Sequence, residues 1–392
     1  MKNIKYDFES VIDRKNTNSL KWDLFDDDYP MWVADMDFKV APAIEKAVQK
    51  RASHPVYGYT IVPDALFESY IRWWDRRYGF KMSKEHMLYS TGVMPSISSM
   101  IRCLTDVGDN IVIQSPVYHV FFYVIEDNNR NVLENQLNYE NGIYSIDFDD
   151  LDEKLSKSKL MILCNPHNPV GKIWSKEDIA KIGELCRKND VVLISDEIHC
   201  DLTDPDAKYN PFETSSDYDK AITCLSPSKS FNIAGFQSSI VHTKNIHLLE
   251  KIKTQMHIDN SDSCNVFATA AVIAAYNESE DWLEELKEVL HENKLIVNDY
   301  LASELPIVKL VRCDATYLLW LDCSALKVPS KVLSGFLRTN QGLFLSAGSD
   351  FGQCGDGFLR MNIACPPELL REGLGRLKAG ITALNIINKG LY

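Results

Sequence analysis

Leu160-Met161-Ile162-Leu163-Cys164-Asn165-Pro166-His167-Asn168-Pro169-Val170-Gly171 passes from five consecutive apolar residues directly into polar and turn-forming ones. A strand wetted on one face alternates apolar and polar residues. An unbroken apolar run is buried on both faces, as in a parallel sheet covered by helices. The pattern recurs. Ile111-Val112-Ile113 leads into Gln114-Ser115-Pro116-Val117-Tyr118-His119, and Val191-Val192-Leu193-Ile194 into Ser195-Asp196-Glu197-Ile198-His199. Ala221-Ile222-Thr223-Cys224-Leu225 leads into Ser226-Pro227-Ser228-Lys229. Between two of these runs Ser175 can cap a helix, with Asp178 three residues on and Ile179, Ile182, Leu185 and Cys186 forming one apolar stripe. In open α/β sheets ligands bind at the carboxyl ends of the strands, so four chemically capable endings predict one shared site.

The chain has 392 residues, 45% of them hydrophobic and 25% charged, enough for a large domain plus a smaller one. Helical segments around 282–304 and mixed stretches at Tyr317-Leu318-Leu319-Trp320-Leu321 and Phe358-Leu359-Arg360-Met361-Asn362-Ile363 suggest a second α/β unit. The division expected is a large domain over 45–285, with 1–44 and 286–392 forming the small one. A net charge of −13 argues against nucleic acid or an anionic membrane as partner. Ten scattered cysteines without a C-x-x-C pair point to free thiols in a reducing, cytoplasmic setting, with no metal site. The amino terminus lacks an apolar leader, and no run approaches the length of a membrane span, so a soluble, unexported protein is expected.

Lys229, set between an apolar strand and Phe231, is placed as an imine-forming lysine would be. Burial and nearby positive charge lower an ammonium pKa and leave a neutral amine able to attack an aldehyde such as pyridoxal phosphate and to move protons. A lysine snorkelling at a strand end would look the same. Asp196 closes an apolar strand, where a carboxylate needs a charged or hydrogen-bonding partner; a pyridinium nitrogen or a helix N-terminus would serve. Thr91-Gly92-Val93-Met94-Pro95-Ser96 reads as a phosphate cradle at a helix start or as an ordinary strand–helix turn. Tyr118 could lie over a cofactor ring and Asn168 could meet a phenolic oxygen; aromatic packing or turn formation explains either one equally. Arg360, in an apolar strand, offers a planar fork to a substrate carboxylate or to a buried ion pair.

Together these residues resemble the fold-type I pyridoxal enzymes of the class I/II aminotransferase superfamily. More narrowly, Met31-Trp32-Val33-Ala34-Asp35-Met36-Asp37-Phe38, Val56-Tyr57-Gly58-Tyr59-Thr60, Asn165 to Gly171, Asp196-Glu197-Ile198-His199 and Ser226 to Asn232 resemble the MalY/PatB group of cystathionine β-lyases. The resemblance implies an α/β fold with a mostly parallel central sheet in the large domain, and pyridoxal 5'-phosphate as cofactor. Lys229, Tyr118 and Asp196 would be catalytic. Lys229 would carry the imine, Asp196 would pair with the ring nitrogen, Asn168 would approach the ring hydroxyl and Tyr118 would stack on the ring. Gly92, Val93, Ser226 and Ser228 would hold the phosphate, with His199 beside the ring and Tyr57 reaching the phosphate of a second subunit in a homodimer. Arg360, Asn168, Asp35 and Tyr59 would contact the substrate. Two positions depart from the broader aminotransferase pattern: His199 stands where a tyrosine is usual, and Gln237 where an arginine is usual.

The expected reaction is β-elimination from L-cystathionine, L-cysteine or another cysteine thioether, giving a thiol, pyruvate and ammonia. Transamination shares the same core residues and is the enzymatic rival. A regulatory protein partner, as some members of the group have, is a further possibility alongside catalysis.

Overall fold

The computed structural model describes residues 5–390. Strands β1 (Met87–Ser90), β2 (Asn110–Ile113), β3 (Asn131–Glu134), β4 (Leu160–Cys164), β5 (Val192–Asp196), β6 (Ala221–Leu225) and β7 (Ser239–His242) form one sheet in the order β1-β7-β6-β5-β4-β2-β3. Neighbours from β3 across to β6 are parallel, while β7 runs antiparallel to both β6 and β1. The sheet is therefore mostly parallel, as the apolar runs predict.

Alternate residues explain why those runs are unbroken. Ile162, Ile194 and Ile222 point to one face, against helix α1 (Val93–Leu104) and its Ile97, Met100 and Ile101. Met161, Leu163 and Leu193 point to the other, against helix α2 (Lys176–Lys188) and its Ile179, Ile182 and Cys186. Each such side chain removed from water contributes roughly 1.5–3 kcal/mol. The capping box at α2 forms as read: Asp178 N–H donates to Ser175 Oγ at 3.0 Å, and Ser175 N–H donates to Asp178 Oδ2 at 3.2 Å.

A second sheet contains β8 (Lys309–Leu310), β9 (Leu318–Asp322), β10 (Ser346–Ala347) and β11 (Phe358–Asn362), antiparallel in the order β8-β9-β11-β10. Helices α3 (Glu280–Glu304), α4 (Ser330–Gln341) and α5 (Pro367–Gly390) accompany it. Residue 285 lies inside α3, which runs without a break from the side of the large sheet to that of the small one. The amino-terminal segment joins the second sheet's surroundings: Tyr29–Pro30 pairs in parallel with Leu343–Phe344, and Asn362 N–H donates to Met31 O at 2.8 Å. From there residues 32–38 cross toward the carboxyl ends of β4, β5 and β6. Among the described residues, no helix is long and apolar enough to cross a membrane.

Candidate active site

Register brings the ends of three strands level: Asp196 is paired with Cys164 on one side and Cys224 on the other. The cleft above them is lined by Gly92, Val93, Tyr118, Asn168, Asp196, His199, Ser226, Ser228 and Lys229, so nine of the residues singled out in the sequence converge. A second cavity, containing Arg360, shares Ala34, Tyr118 and Lys229 with the first and extends it toward the small sheet.

Lys229 lies in the turn after β6, and its Nζ donates to the carbonyl of Ala34 at 2.7 Å. Burial, then the charge of Arg360, push its pKa down to about 8, against the opposing pull of Asp35 and Asp196. About a tenth of the amine is then neutral at pH 7, far more than for an ordinary lysine. Asp196 is 4% exposed, and burial pushes its carboxyl up to about 7. It accepts one hydrogen bond, from Ile198 N–H at 3.2 Å, which closes a turn rather than capping a helix. A buried carboxylate so sparsely partnered has acceptor capacity left for a cationic donor in the same cleft.

At the opposite end Gly92 precedes α1, no side chain caps that helix, and Pro95 stands in its first turn. Ser226 Oγ donates to Ser238 O at 2.7 Å and lies 2.9 Å from Ser228 Oγ; Ser238 Oγ is buried without a partner. Gln237 also lines the cleft, in a left-handed backbone conformation with φ 52°. Hydroxyls and an uncapped helix start suit a phosphate, and the neutral Gln237 adds no charge to them.

His199 is buried, and burial, then Lys229 and Arg360, hold its pKa down at about 3, so the ring is neutral; its Nδ1 has no partner. Arg360, 4% exposed, donates from Nη1 to Asn168 Oδ1 at 3.2 Å and from Nη2 to Trp32 O at 2.9 Å, while Nε is buried and unpaired. Its guanidinium also sits 4.7 Å from the centroid of the Phe351 ring. The partners are thus an amide, a carbonyl and a ring, not the carboxylate of a structural ion pair. A buried guanidinium in that condition has donor capacity and charge left for an anion.

Three of the predicted residues lie elsewhere. Asp35 does not line either cavity; it is held by Arg14, whose Nη2 donates to Asp35 Oδ2 at 2.6 Å. Tyr57 is half exposed on the surface, with its hydroxyl donating to Ala52 O at 2.7 Å and its ring 5.6 Å from that of Phe267. Tyr59 is fully exposed. Residues the sequence did not single out include Ala34, which acts through a backbone oxygen, and His119, Asp350 and Phe351 in the outer cavity. His119 adjoins Tyr118 in a segment already marked, the one signal that could have found it. Among the described residues no cluster of His, Cys, Asp or Glu could hold a metal ion.

The family model "Aminotransferase class I and II" matches residues 33–377. The chain is 39% identical over 385 residues to "Cystathionine beta-lyase PatB" of Bacillus subtilis, covering 96% of this chain and 100% of that protein. It is 30% identical over 389 residues to "Protein MalY" of Escherichia coli, covering 97% and 100%. Among solved structures, cystalysin from Treponema denticola, which contains pyridoxal 5'-phosphate, superimposes with a TM-score of 0.93 at 33% identity, covering 97% of this chain and 99% of that one. The PLP-bound C-S lyase from Staphylococcus hominis gives 0.91 at 34% identity, with coverage of 97% and 99%. The chain belongs to the class I and II aminotransferase family, in the group of the PatB and MalY proteins.

Proposed function

We propose that this protein is a pyridoxal 5'-phosphate-dependent carbon–sulfur β-lyase that converts L-cystathionine or a related cysteine S-conjugate to a thiol, pyruvate and ammonia. The observation that carries the reading is the pairing, in one continuous cleft, of a pKa-lowered Lys229 with a buried Arg360 that has no carboxylate partner. An amino-acid substrate brings the missing anion. The lyase name of a relative 39% identical over its full length, and that of the Staphylococcus hominis C-S lyase, support elimination as the outcome.

When bound, pyridoxal 5'-phosphate supplies an aldehyde for the amine and an electron-withdrawing ring that accepts the electron pair left at Cα. Ser226, Ser228, Ser238 and the start of α1 would hold its phosphate, Asp196 its ring nitrogen, Asn168 and His199 the region of its hydroxyl, and Tyr118 one face of its ring. Arg360 would clamp the substrate carboxylate with its fork and so fix the orientation of the Cα–H bond. Lys229 would take the Cα proton as its amine becomes an ammonium.

The homodimer belongs to the same proposal. Val56, Tyr57, Tyr59 and Ile61 expose apolar surface on one short segment, which a second subunit would cover while Tyr57 reached its phosphate site. Ten free thiols suit a reducing compartment such as the cytoplasm. Purified holoenzyme incubated with a panel of cysteine thioethers, without any keto acid, should release thiol, pyruvate and ammonia in equal amounts. Turnover only when a keto acid is supplied would make it an aminotransferase instead.

A further inference from the structure

We propose that the ionic cluster of Arg14, Lys21, Asp35 and Asp37 is a positioning device for Lys229, acting through the backbone of residues 34–37. This rests on the reading of Lys229 as the group that takes the Cα proton. The segment bends at residues 33–35 and again at 37–38, and Asp35 and Asp37 both meet Arg14 and Lys21 instead of lining the cleft. Asp37, 3% exposed, accepts from Lys21 Nζ at 2.6 Å, Arg14 Nη1 at 2.7 Å and Trp22 Nε1 at 2.8 Å. Asp35 accepts from Arg14 Nη2 at 2.6 Å and lies 3.7 Å from Lys21 Nζ. One guanidinium thus spans both carboxylates and fixes their spacing. Between them and the cleft lies the carbonyl of Ala34, which accepts from Lys229 Nζ at 2.7 Å and from Tyr317 Oη at 2.9 Å.

The backbone is pinned on its other side as well. Asn362 Nδ2 donates to Val33 O and Asp35 O, both at 2.6 Å, and Asn232 brackets Met36 through its N–H and its carbonyl, each at 3.0 Å. The amides set where the strand runs; the ion cluster prevents it from sliding or rotating along that line. Buried charge is costly, and four charged groups arranged around one backbone turn are a costly way to hold a loop that apolar packing could hold. Asp35 directly follows the residue whose carbonyl receives the lysine amine, and the other three charges hold Asp35 and its neighbour Asp37 in place, which accounts for the cluster.

The cluster also reaches Lys229 electrostatically. The charged and titratable groups around the amine are Asp196 and His199 at the end of β5, Arg360 on β11, Tyr118 across the cleft, Tyr317 on the shared carbonyl, and Asp35. Arg360 opposes an ammonium there; Asp35 and Asp196 favour it. Asp35, expected to touch substrate, is thereby assigned to the lysine.

The test uses holoenzyme carrying Asp35→Asn, Arg14→Gln or Arg14→Lys, with four readouts: solvent deuterium exchange at Cα, KM for a cysteine thioether, cofactor content, and the pH profile of kcat. Asp35→Asn and Arg14→Gln should slow exchange and kcat about 10- to 100-fold, the scale of a small misplacement of a reacting group, with KM within about twofold and cofactor content unchanged. Asp35→Asn should also move the acid limb of the profile to lower pH, since it removes a negative charge facing the amine. Arg14→Lys, which keeps the charge but cannot span both carboxylates, should recover only part of the loss and should leave the acid limb where it is in the wild type. A raised KM with unchanged kcat would make Asp35 a substrate ligand and overturn the proposal. So would an unmoved limb with kcat and cofactor content falling in parallel, the signature of a merely structural cluster, and so would wild-type kinetics. Wild-type holoenzyme that leaves Cα protons in place would instead overturn the lyase reading itself.

Discussion

Arg360 Nη1 donates to Asn168 Oδ1 at 3.2 Å, joining the small sheet to the loop that follows β4 of the large one. The contact places the guanidinium between the two sheets and orients its fork toward the cleft that holds Lys229. An arginine so placed is useful for geometry as much as for charge, because only a planar fork can serve Asn168, Trp32 O and an incoming carboxylate together.

Replacing that fork is the first expectation. Arg360→Lys retains a positive charge but cannot reach all three partners, so kcat/KM for amino-acid thioethers should fall by about 2 kcal/mol or more, roughly 30-fold. Most of the loss should be in KM. Cofactor content, measured by release in alkali, should match the wild type; an unaltered KM in a less thermostable protein would return Arg360 to a structural role.

The amine of Lys229 is the second. Lys229→Ala should reduce elimination by several orders of magnitude while the protein still retains cofactor noncovalently through the serines and α1, detectable as colour lost on gel filtration more readily than from the wild type. Near-normal thiol release by this variant would remove the assignment.

How much of this was readable before any fold was known depends on whether a residue acts through its side chain at a strand end. Asp196, Ser226 and Lys229 close buried strands, and the period of the pattern brought them to one place. Asp35 shows the opposite case. Its motif was recognisable, but the sequence carries no sign that its carboxylate meets Arg14, 21 residues earlier, or that the useful atom is the neighbouring Ala34 carbonyl. Backbone acceptors are present at every residue, so nothing in composition distinguishes one. Arg360 was left between an anion site and an ion pair for a related reason: absence of a carboxylate is a property of the packed interior, not of Phe358-Leu359-Arg360.

The pH dependence follows from Lys229. The pKa of Lys229, near 8, leaves the amine protonated and unable to accept a proton at lower pH, so kcat should rise as pH increases through that value. Burial pulls the pKa of Arg360 down, yet a guanidinium keeps its charge across the working range, so carboxylate binding should set no limb of the profile. A kcat that rises with pH through about 8 is expected; a profile flat from pH 6 to about 9 would contradict the assignment of Lys229.

Gly171 tests how the loop after β4 is seated. Its φ is +67°, and a Cβ there would lie 2.2 Å from Cys313 Sγ and 2.8 Å from Ala315 O. Its carbonyl also accepts the N–H groups of Asp314 and Ala315. Gly171→Ala should therefore cost about 1–3 kcal/mol in left-handed backbone strain alone, and more where the neighbouring backbone cannot give. Thermal unfolding should show the loss, and KM should rise with it because Asn168 belongs to the same loop. An unchanged melting temperature would mean the loop relaxes freely.

A site shared between two subunits would be open to complementation. Tyr57 stands on an exposed apolar segment and touches no part of its own cleft, so its contribution, if it reaches a phosphate, must be made to a second chain. Tyr57→Phe alone should weaken cofactor retention and lower kcat. Mixing Tyr57→Phe with Lys229→Ala chains under conditions that exchange subunits would create heterodimers with one site carrying both defects and one carrying neither. Activity should then exceed the sum of the two homodimers. Sedimentation at falling concentration gives the independent check: a species of 44.6 kDa that remains fully active would show that one chain suffices, leaving Tyr57 to pack against Phe267 and Arg51 of its own surface.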